Sequence, residues 1–499
     1  MKQLIMSKTG LPKTVITKLS PNNKNSEIIM YIYSEPVKFG TDGWRAVIAE
    51  NYNFENVRRV SLAVAQTFAN HPKIKNGIVI GYDTRFLSKE FAHCSAEIFG
   101  SQNIKVFLVD SFVTTPTVSL LAKDKNLAFG VMITASHNPY SYNGFKLKDE
   151  YGGSMSIEEI EKVEAKLPGI QRVDNYKTLS ELVSAGIVEF FNGRDYYLKN
   201  LEEKIDIEKI KKANLSVIYD AMYGAGQKSI SSMMKVREIH GIVNPYFDGG
   251  APEPVQKNLK EICDIIKNGK YDIGIVNDGD ADRIAIIDEN GDFLDAQKTF
   301  ALLLKYLHQN KKFTGKVVRG YSSSDLIKKY CDKYGLILET VMIGFKHISK
   351  LMINDDIMIG AEESGGIGIK GHLPERDGVF NGLLYLEMLA ATGKSIGQLK
   401  RELENEFGVF FYNRIDVHTT EEKKNQTLEK CRSFKIGDKI SSKTILQTGN
   451  LDGFKFNFEN GWIIIRASGT EPLLRFYCET YDKDNTKEIL KSTINNFNL

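Results

Sequence analysis

Short apolar runs alternate with amphipathic stretches along most of this chain. Runs of strand length are followed by stretches with helical spacing, and the same rhythm begins three times. Strands that alternate with helices indicate α/β units with mostly parallel strand pairing. The apolar runs predict strands over 77–82, 104–109, 127–133, 215–219, 271–276, 284–287, 315–319 and 356–359, and the spacing predicts helices over 91–99 and 324–334.

The C-terminal part of the chain follows a different pattern. Its apolar runs at 410–415, 453–456 and 461–466 are typical of hairpin strands, and a final helix is predicted over 486–496. This arrangement indicates an α+β domain. Two charged stretches, 149–168 and 201–212, are predicted as helices, the first exposed and the second a link between two domains.

Length and charge narrow the class of protein. A chain of 499 residues is too long for one core, so three or four domains are expected. The 66 basic and 63 acidic residues nearly cancel to a net charge of +3, which gives no general case for nucleic-acid binding. No apolar run reaches the roughly 18–20 residues that a membrane helix needs.

The cysteines and the N-terminus indicate a reducing compartment. The five cysteines are scattered and show no CxxC spacing, so neither a zinc site nor a disulfide framework is expected. Residues 1–35 lack the apolar core of a signal peptide and are predicted as a loop-like or disordered extension. We therefore expect a cytoplasmic protein, and we hypothesise that residues 1–29 are dispensable for folding and activity.

Ser136 lies in a polar loop, 134–139, that directly follows the apolar run 127–133. Ligands bind at the carboxyl ends of strands in open α/β sheets. A serine there is a candidate nucleophile or phosphate carrier, and Lys146 follows ten residues later. An ordinary turn is the alternative, since Ser and Asn before Pro are common turn residues.

A second loop, 277–283, carries aspartates at alternate positions between two strand-like runs. Three carboxylates in a tight turn can converge on one hard cation, and Mg²⁺ prefers oxygen ligands. The alternative is an acidic hairpin turn, since Asp-Gly is a favoured hairpin dipeptide. Three crowded aspartates repel one another without a counter-ion, so the pattern favours a metal site at Asp278, Asp280 and Asp282.

Two further loops have the same position after an apolar run. Residues 360–366 place Glu362 and Ser364 beside glycines, where they can grip vicinal sugar hydroxyls. Residues 466–472 combine Arg, Ser, Gly and Thr, the groups that a phosphate cradle needs, and Arg475 follows. A capping or turn segment is the alternative for the first loop, and a Ser/Gly turn beside a surface arginine for the second.

Together the four loops provide a hydroxyl, a Mg²⁺ site, a polyol grip and a phosphate cradle, which favours phosphoryl transfer on a sugar phosphate. No G-x-x-x-x-G-K-[ST] stretch is present, so a P-loop nucleotide site is not indicated. The phosphoryl group must then come from the protein or from the substrate. Arg45 and the segment 344–347 offer additional cations, although isolated basic residues are usually solvated.

The four loops resemble those of a known family. The loops 134–139, 278–283, 360–366 and 466–472 are similar, in order, to the four signature loops of the α-D-phosphohexomutases, the phosphoglucomutase/phosphomannomutase superfamily. Arg45 and the turn 83–85 also resemble family positions. The resemblance covers roughly 37–498.

The resemblance implies four domains in a heart-shaped arrangement, three with a similar mixed α/β core and a smaller, mobile C-terminal α+β domain. It implies that Ser136 is the phosphoserine and that Mg²⁺ is bound by its phosphate and the three aspartates. The domains are expected at 36–198, 199–298, 299–408 and 409–499, with 1–35 as the N-terminal extension. The expected catalytic residues are Ser136, Lys146 and Arg45, the metal ligands are Ser136, Asp278, Asp280 and Asp282, and the substrate-binding residues are His137, Arg283, Gly344, Lys346, Glu362, Ser364, Arg466, Ser468, Gly469, Thr470 and Arg475.

The implied reaction interconverts hexose 1-phosphate and hexose 6-phosphate. Phosphorylated Ser136 would donate to one end of the sugar, the 1,6-bisphosphate would reorient, and the other phosphate would return to the serine. Glucose 1,6-bisphosphate would act as activator. We expect neighbouring cations to depress the pKa of Lys146 so that it can act as general base. The partners would be small hexose phosphates, with no nucleic acid or membrane, and the protein would be a monomer or homodimer.

The sugar is less defined than the reaction. Residues 362–366 read Glu-Glu-Ser-Gly-Gly, which matches neither the glucose-selective nor the bispecific form of the family loop fully. Glucose is favoured, with mannose or dual specificity as the alternative. The Glu-Gln-Ser form of bacterial amino-sugar mutases is absent, which disfavours phosphoglucosamine. A Mg²⁺-dependent sugar phosphatase and a silent sugar-phosphate-binding protein are more remote alternatives.

Overall fold

The computed structural model describes residues 37–40, 42–468 and 473–499. The predicted extension, residues 1–35, lies outside the described residues, and so do Gly469 and Thr470 of the fourth loop. Four main sheets follow one another along the described chain.

The first sheet has the strand order β1-β5-β4-β2-β3-β6. Strands β2, β3, β4 and β6 pair in parallel, whereas β1 and β5 run antiparallel to their neighbours. The strands are β1 (Trp44–Val47), β2 (Ile78–Tyr82), β3 (Val106–Val109), β4 (Gly130–Ile133), β5 (Tyr142–Lys148) and β6 (Val188–Phe191), and the helices are α1 (Phe54–Thr67), α2 (Ser88–Ser101), α3 (Thr115–Asp124), α4 (Ile157–Lys166), α5 (Leu179–Ser184) and α6 (Gly193–Lys204).

The second and third sheets have the strand orders β11-β10-β9-β7-β8 and β13-β12-β14-β15. The second contains β7 (Val217–Asp220), β8 (Arg237–Ile239), β9 (Ile273–Asn277), β10 (Ile284–Ile287) and β11 (Phe293–Leu294), with helices α7 (Ile207–Ala213) and α8 (Lys260–Asn268). The third contains β12 (Lys316–Gly320), β13 (Leu338–Val341), β14 (Ile357–Ala361) and β15 (Ile367–Ile369), with helices α9 (Ala296–Lys305), α10 (Asp325–Tyr334), α11 (Phe345–Asn354), α12 (Gly378–Thr392) and α13 (Ile396–Phe407).

The fourth sheet is antiparallel, with the order β16-β22-β21-β20-β19. A two-stranded ribbon and two helices complete this part of the chain. The elements are β16 (Phe411–His418), α14 (Glu421–Ser433), β17 (Lys439–Ile440), β18 (Lys443–Thr444), β19 (Gln447–Gly449), β20 (Phe454–Phe458), β21 (Gly461–Ala467), β22 (Leu473–Thr480) and α15 (Lys483–Asn496).

The first three sheets repeat one local arrangement. Strands β4, β9 and β14 each pair in parallel on one side and antiparallel on the other, with the strand that follows in sequence. The loop at the carboxyl end of each therefore lies where strand direction reverses, a position that suits a ligand site. These three loops carry Ser136, the aspartates and Glu362.

Apolar packing distinguishes the C-terminal sheet from the rest. The second and third sheets share one buried core, which includes Ile275 and Met358. The first sheet has its own core, and so does the fourth, around residues such as Ile463 and Phe476. The predicted fold of three α/β domains and a C-terminal α+β domain is confirmed, while the exact domain boundaries stay a prediction.

Two predicted helices have different limits in the structure. The stretch 201–212 is divided between α6 and α7, because Ile205 is extended and the Asp206 side chain caps α7 by accepting from Lys209 N. The stretch 149–168 forms a helix only from Ile157, where Ser156 is the N-cap. None of the helices in the described part of the chain has the length and hydropathy that a membrane crossing requires.

Candidate active site

Ser136 is buried in the loop between β4 and β5 and has a left-handed backbone, with φ 52°. Its amide donates to Thr134 Oγ1 at 2.9 Å, and the Thr134 hydroxyl donates to Asp83 at 2.6 Å. Arg85 Nη2 donates to the carbonyl oxygens of Ser136 and Asn138, each at 2.6 Å. These contacts hold an unfavourable backbone conformation in place, as is common at functional sites.

The Ser136 hydroxyl lies between two groups of the predicted site. It donates to Asp278 Oδ2 at 2.9 Å, and His137 Nδ1 lies 3.2 Å from the Ser136 hydroxyl oxygen. Burial lowers the pKa of His137 well below its usual value, and the nearby Arg283 and Arg45 lower it further. The structure therefore brings the serine of the first loop against the aspartates of the second.

The three aspartates converge as predicted. Asp278, Asp280 and Asp282 are buried and each offers a carboxylate oxygen within 4.8 Å of the others. Burial raises the pKa of Asp278 well above its ordinary value, and the charges of Asp282 and Asp280 raise it further. Gly279 allows the close approach of the two loops, because a Cβ there would lie 2.3 Å from the carbonyl oxygen of Ser136.

The donor set of these aspartates fits Mg²⁺. Within the described residues, the buried Oδ1 atoms of Asp280 and Asp282 accept no hydrogen bond. Unpartnered carboxylate oxygens are costly in a buried site, and a hard cation with oxygen ligands would satisfy them. The three carboxylates and the oxygen of Ser136 are the groups that would hold the ion.

Lys146, on β5, is fully buried and faces three carboxylates. Its ammonium lies 2.7 Å from Asp42, 2.8 Å from Asp280 and 3.1 Å from Asp282. Burial alone would lower the pKa of Lys146, but the aspartates outweigh burial and raise it above the ordinary lysine value. The expectation of a depressed pKa is therefore wrong for this arrangement, because anions rather than cations surround the ammonium.

The sugar-loop residues lie next to this cluster. Burial raises the pKa of Glu362 to about 7, although the neighbouring Arg376 lowers it. The Ile284 amide, just after the aspartate loop, donates to the Gly365 carbonyl at 3.1 Å. A Cβ on Gly365 would lie 2.5 Å from Ile284 O, so this contact requires a glycine. Ser364 is half-buried in the same loop.

Basic residues from the first three domains lie near these loops. Arg45 Nη1 donates to Asn138 Oδ1 at 2.8 Å, and the amide of Arg283 donates to Asp278 at 3.0 Å. Gly344 precedes α11 with φ 127°. Burial lowers the pKa of Lys346. The negative charge of Asp42 raises this pKa, and the positive charge of Arg466 lowers it further. The Lys346 ammonium is therefore within electrostatic reach of Asp42 in the first domain and of Arg466 in the C-terminal domain.

The fourth loop is partly described. Arg466 Nε donates to Asp452 Oδ1 at 2.7 Å, and Ser468 is buried with its amide donating to Leu473 O at 2.8 Å. Arg475 is the cross-strand partner of Arg466 on β22. Gly469 and Thr470 lie outside the described residues, so their predicted role stays a prediction.

Comparison with known proteins identifies the family of the chain. Models of the phosphoglucomutase/phosphomannomutase family match in four parts: alpha/beta/alpha domain I at residues 36–173, domain II at 195–291, domain III at 295–407 and the C-terminal domain at 417–495. The chain belongs to the phosphoglucomutase/phosphomannomutase family.

Individual relatives extend over nearly the whole chain. A phosphoglucosamine mutase of Methanococcus maripaludis is 32% identical, covering 91% of this chain and 97% of its own. A phosphoglucomutase/phosphomannomutase of Thermococcus kodakarensis is 28% identical, covering 91% and 96%. The crystal structure of a protein from Thermus thermophilus, described as a phosphomannomutase, has a TM-score of 0.82 and 28% identity over 93% of this chain and 100% of its own.

These relatives are intramolecular phosphotransferases, and the predicted enzyme class is confirmed. The protein is an isomerase of the phosphohexomutase type. The relatives carry names with different sugars, so the sugar is not decided by family membership.

Sequence reasoning missed two residues that join the loops of this phosphohexomutase. Arg376 Nη2 donates to Asp282 at 2.6 Å and to Asp42 at 2.7 Å, and its Nη1 lies 3.3 Å from Glu362. Asp42 also lies beside Lys146. The charged run 374–378 next to a proline was the available signal for Arg376, but it does not indicate which groups the guanidinium contacts.

Lys148 and Glu375 form a second buried contact between the same parts of the chain. Lys148 follows Lys146 by two positions on β5, so both side chains lie on one face of the strand. Its ammonium lies 2.5 Å from Glu375 Oε2 and 3.5 Å from Asp42. The alternation of a strand was the signal that could have paired the two lysines.

Proposed function

We propose that this enzyme interconverts hexose 1-phosphate and hexose 6-phosphate through a phosphorylated Ser136 and a hexose 1,6-bisphosphate. The observation that carries the proposal is the 2.9 Å contact between Ser136 Oγ and Asp278, within a cluster of three buried aspartates. A phosphoryl group on this oxygen would lie among carboxylates that need a cation. Mg²⁺, when bound, would neutralise charge on the transferring group.

In the forward half-reaction the Oγ–P bond of Ser136 breaks as a sugar hydroxyl forms its own bond to phosphorus. The hydroxyl proton must pass to a base of the site. Lys146 is the base implied by the family resemblance. Its ammonium would first have to leave its ion pairs with Asp280 and Asp282 and release a proton, because only the neutral amine can accept the proton of the sugar hydroxyl. Arg45, Arg283 and His137 surround the same space and would hold the phosphoryl oxygens.

The second half-reaction needs the bisphosphate to present its other end. Glu362 and Ser364 would hold the 3- and 4-hydroxyls, which exchange positions when the sugar turns over. Arg466, Ser468, Gly469 and Thr470, with Arg475 and Lys346 beside them, would hold the phosphate that is not reacting. Because Glu362 and Ser364 would hold the sugar in both orientations, the same Ser136 can receive the returning phosphoryl group.

For the sugar we propose glucose first. In this proposal Glu362 and Ser364 would hold hydroxyls common to glucose and mannose, so this loop would offer no contact that separates the two. Glucosamine phosphate is the second candidate, because the Methanococcus maripaludis relative at 32% identity is named a phosphoglucosamine mutase. That name runs against the inference from the absent Glu-Gln-Ser form.

A coupled assay tests the reaction. Conversion of glucose 1-phosphate to glucose 6-phosphate would be followed with and without added glucose 1,6-bisphosphate, and in parallel with mannose and glucosamine phosphates. We expect Mg²⁺-dependent turnover that the bisphosphate stimulates. Release of inorganic phosphate without isomerisation would support the phosphatase alternative, and binding without turnover of any of the three sugars would support the binding-protein alternative.

A further inference from the structure

One face of the C-terminal sheet is turned toward α10 of the third domain. Two rows of side chains cross this face from strand to strand. The first row contains Tyr412, Glu479 and Trp462, which are paired across β16, β22 and β21, and we call it the Glu479 row. The second row contains Asp416, Arg475 and Arg466, and it lies four residues, about 13 Å, farther along β21.

The Glu479 carboxylate bonds this row directly to the third domain. Glu479 Oε1 accepts from the Asp325 amide at 2.8 Å and from Trp462 Nε1 at 3.1 Å. Asp325 is the first residue of α10, so a carboxylate from one domain caps a helix of another. The free amides and dipole at a helix N-terminus favour such a partner.

Aromatic and cationic groups extend this contact. The Lys455 ammonium lies 4.2 Å from the ring centroid of Trp462 and 5.6 Å from that of Tyr321, which belongs to the third domain. A small apolar cluster, formed by Trp462, Ile464 and Tyr477 with Tyr321, Ile343 and Tyr412, joins the two domains beside it.

The contact is not packed on every side. A cavity of about 270 Å³ is lined by Asp325, Trp462 and Glu479 together with Phe410 and Tyr481. Within the described residues, Glu479 Oε2 is buried and has no hydrogen-bond partner. The domain is thus held at this row by a few directed contacts rather than by a filled interface.

The connection to the third domain contains a glycine at the end of α13. Gly408, between α13 and β16, has φ 89°, in the left-handed region that favours glycine. The C-terminal sheet also has a core of its own. The Ile343 amide of the third domain also donates to Asp452 Oδ2 at 2.8 Å. A domain with a separate core, a glycine at its entry and a few directed contacts can change its orientation when one of those contacts is lost.

We infer that Glu479 is a positioning residue, whose bond to the N-terminus of α10 sets the distance of Arg466 and Ser468 from the Ser136 site. The inference rests on the proposed function, in which those two residues hold the phosphate that is not reacting. In this inference Glu479 does not touch the substrate. It holds the Glu479 row at one end of the sheet face, and Arg466 at the other end of that face binds the phosphate. Loss of the bond should weaken binding of hexose phosphate and leave the chemistry at Ser136 largely intact.

The backbone donor allows a sharp test. Pro is well tolerated at the first position of a helix, and Ser324 has φ −60° and ψ 143°, which suits a residue before proline. Asp325→Pro therefore removes the N–H that Glu479 accepts while keeping α10. Asp325→Ala keeps the N–H and loses the same side chain, including its 3.1 Å contact with Arg319, so it is the matched control.

Two more variants test the acceptor, Glu479. Glu479→Gln keeps an oxygen that can accept from Asp325 N and Trp462 Nε1, whereas Glu479→Leu removes it. For all four variants we would measure KM and kcat for glucose 1-phosphate, and the dissociation constant of glucose 6-phosphate by calorimetry. The emission of Trp462 would be recorded in a Trp44→Phe background, since the chain has two tryptophans.

We expect Asp325→Pro and Glu479→Leu to raise KM and the dissociation constant by about tenfold, with kcat within about threefold of the parent. Their Trp462 emission should shift to the red, and Asp325→Ala and Glu479→Gln should match the parent. Equal effects within each matched pair, or no effect of Asp325→Pro and Glu479→Leu, would overturn the inference.

The measurements distinguish a wrong mutase reaction from a wrong role of Glu479. If the parent binds glucose 6-phosphate but has no mutase activity, the proposed function is wrong, and the dissociation constants still decide the role of Glu479. If kcat falls with KM unchanged, Glu479 acts on the chemistry and not on the position of the phosphate-binding row, which contradicts the inference while leaving the mutase reaction standing.

Discussion

The guanidinium of Arg376 donates to the carboxylate of Asp282 over 2.6 Å, which ties the third domain directly to the aspartate loop of the second. Both side chains are nearly inaccessible to solvent. The same nitrogen also reaches Asp42 at 2.7 Å, so one arginine holds parts of three domains around Ser136.

We predict that Arg376→Met lowers both stability and activity. Removing one partner of a buried ion pair leaves uncompensated charge and costs about 3–5 kcal/mol in the free energy of unfolding. Arg376→Lys should recover part of the stability but little of kcat/KM, because one ammonium cannot reproduce the planar set of N–H donors by which the guanidinium contacts several carboxylates. Denaturant unfolding and steady-state kinetics measure the two effects, with the exposed Arg401→Met as control. Wild-type kcat/KM in Arg376→Lys would contradict this role of the guanidinium.

A second prediction concerns the metal. Asp280→Asn should lower kcat by roughly 100-fold or more at saturating Mg²⁺, since it removes a charged ligand that helps neutralise the transferring group. Kinetics over a series of Mg²⁺ concentrations would check this, and calorimetry would measure Mg²⁺ binding directly. Asp264→Asn, on the exposed face of α8, is the control. Unchanged Mg²⁺ affinity in Asp280→Asn would argue against a metal site at this loop.

The fourth loop should act on substrate affinity. Arg466→Gln is expected to raise KM for glucose 1-phosphate by about 10- to 100-fold, because a charge-assisted contact to phosphate is lost. Phosphorylation of Ser136 by glucose 1,6-bisphosphate at saturating concentration should persist. Arg432→Gln, on the exposed surface of α14 in the same domain, should have no effect. A fall in kcat alone would place Arg466 in the chemical step instead.

Burial raises the pKa of Glu479 from 4.5 to about 7, even though bonds from Ser324 and the Asp325 amide lower it. The folded chain therefore holds this proton more tightly than the unfolded chain does. The resulting stabilisation is complete below pH 4.5 and is lost as pH rises through about 7, so stability should fall over this window.

Glu479→Gln removes this titration. The difference in unfolding free energy between wild type and Glu479→Gln should therefore change by up to about 3 kcal/mol between about pH 5 and pH 7.5. Urea unfolding followed by Trp462 emission in the Trp44→Phe background measures it. Asp325 and Lys455 also face this carboxyl, and burial lowers the pKa of Lys455 to about 8, so the window ends below that value. Parallel pH profiles of the two proteins would contradict the prediction.

Much of the site could be predicted because its residues follow buried strands. Ser136, Asp278 and Glu362 each come directly after an apolar run, and the carboxyl ends of β4, β9 and β14 bring their loops together. The local pattern contains both the strand and the polar loop, so the motif and its place in the sheet can be seen in the same few residues.

The electrostatic surroundings could not be predicted in this way. Arg376 and Asp42 are 334 positions apart, and their contact depends on how the first and third domains pack. The same packing places Asp42 beside Lys146. The pKa of Lys146 is therefore raised, whereas a lowered pKa was expected. The charged pattern predicts a single helix over 201–212 because it continues across Ile205, while the extended backbone at this residue divides the stretch.

The central claim is that Ser136 carries the phosphoryl group between the two ends of the sugar. The most direct measurement is to incubate the enzyme and Mg²⁺ with glucose 1,6-bisphosphate labelled with ³²P, locate the label by peptide mapping, and chase it with unlabelled glucose 1-phosphate. We predict that the label is on Ser136, that the chase moves it into sugar phosphate, and that Ser136→Ala takes up none and has almost no mutase activity. Label on an aspartate of the 278–282 loop, or full activity in Ser136→Ala, would contradict the account.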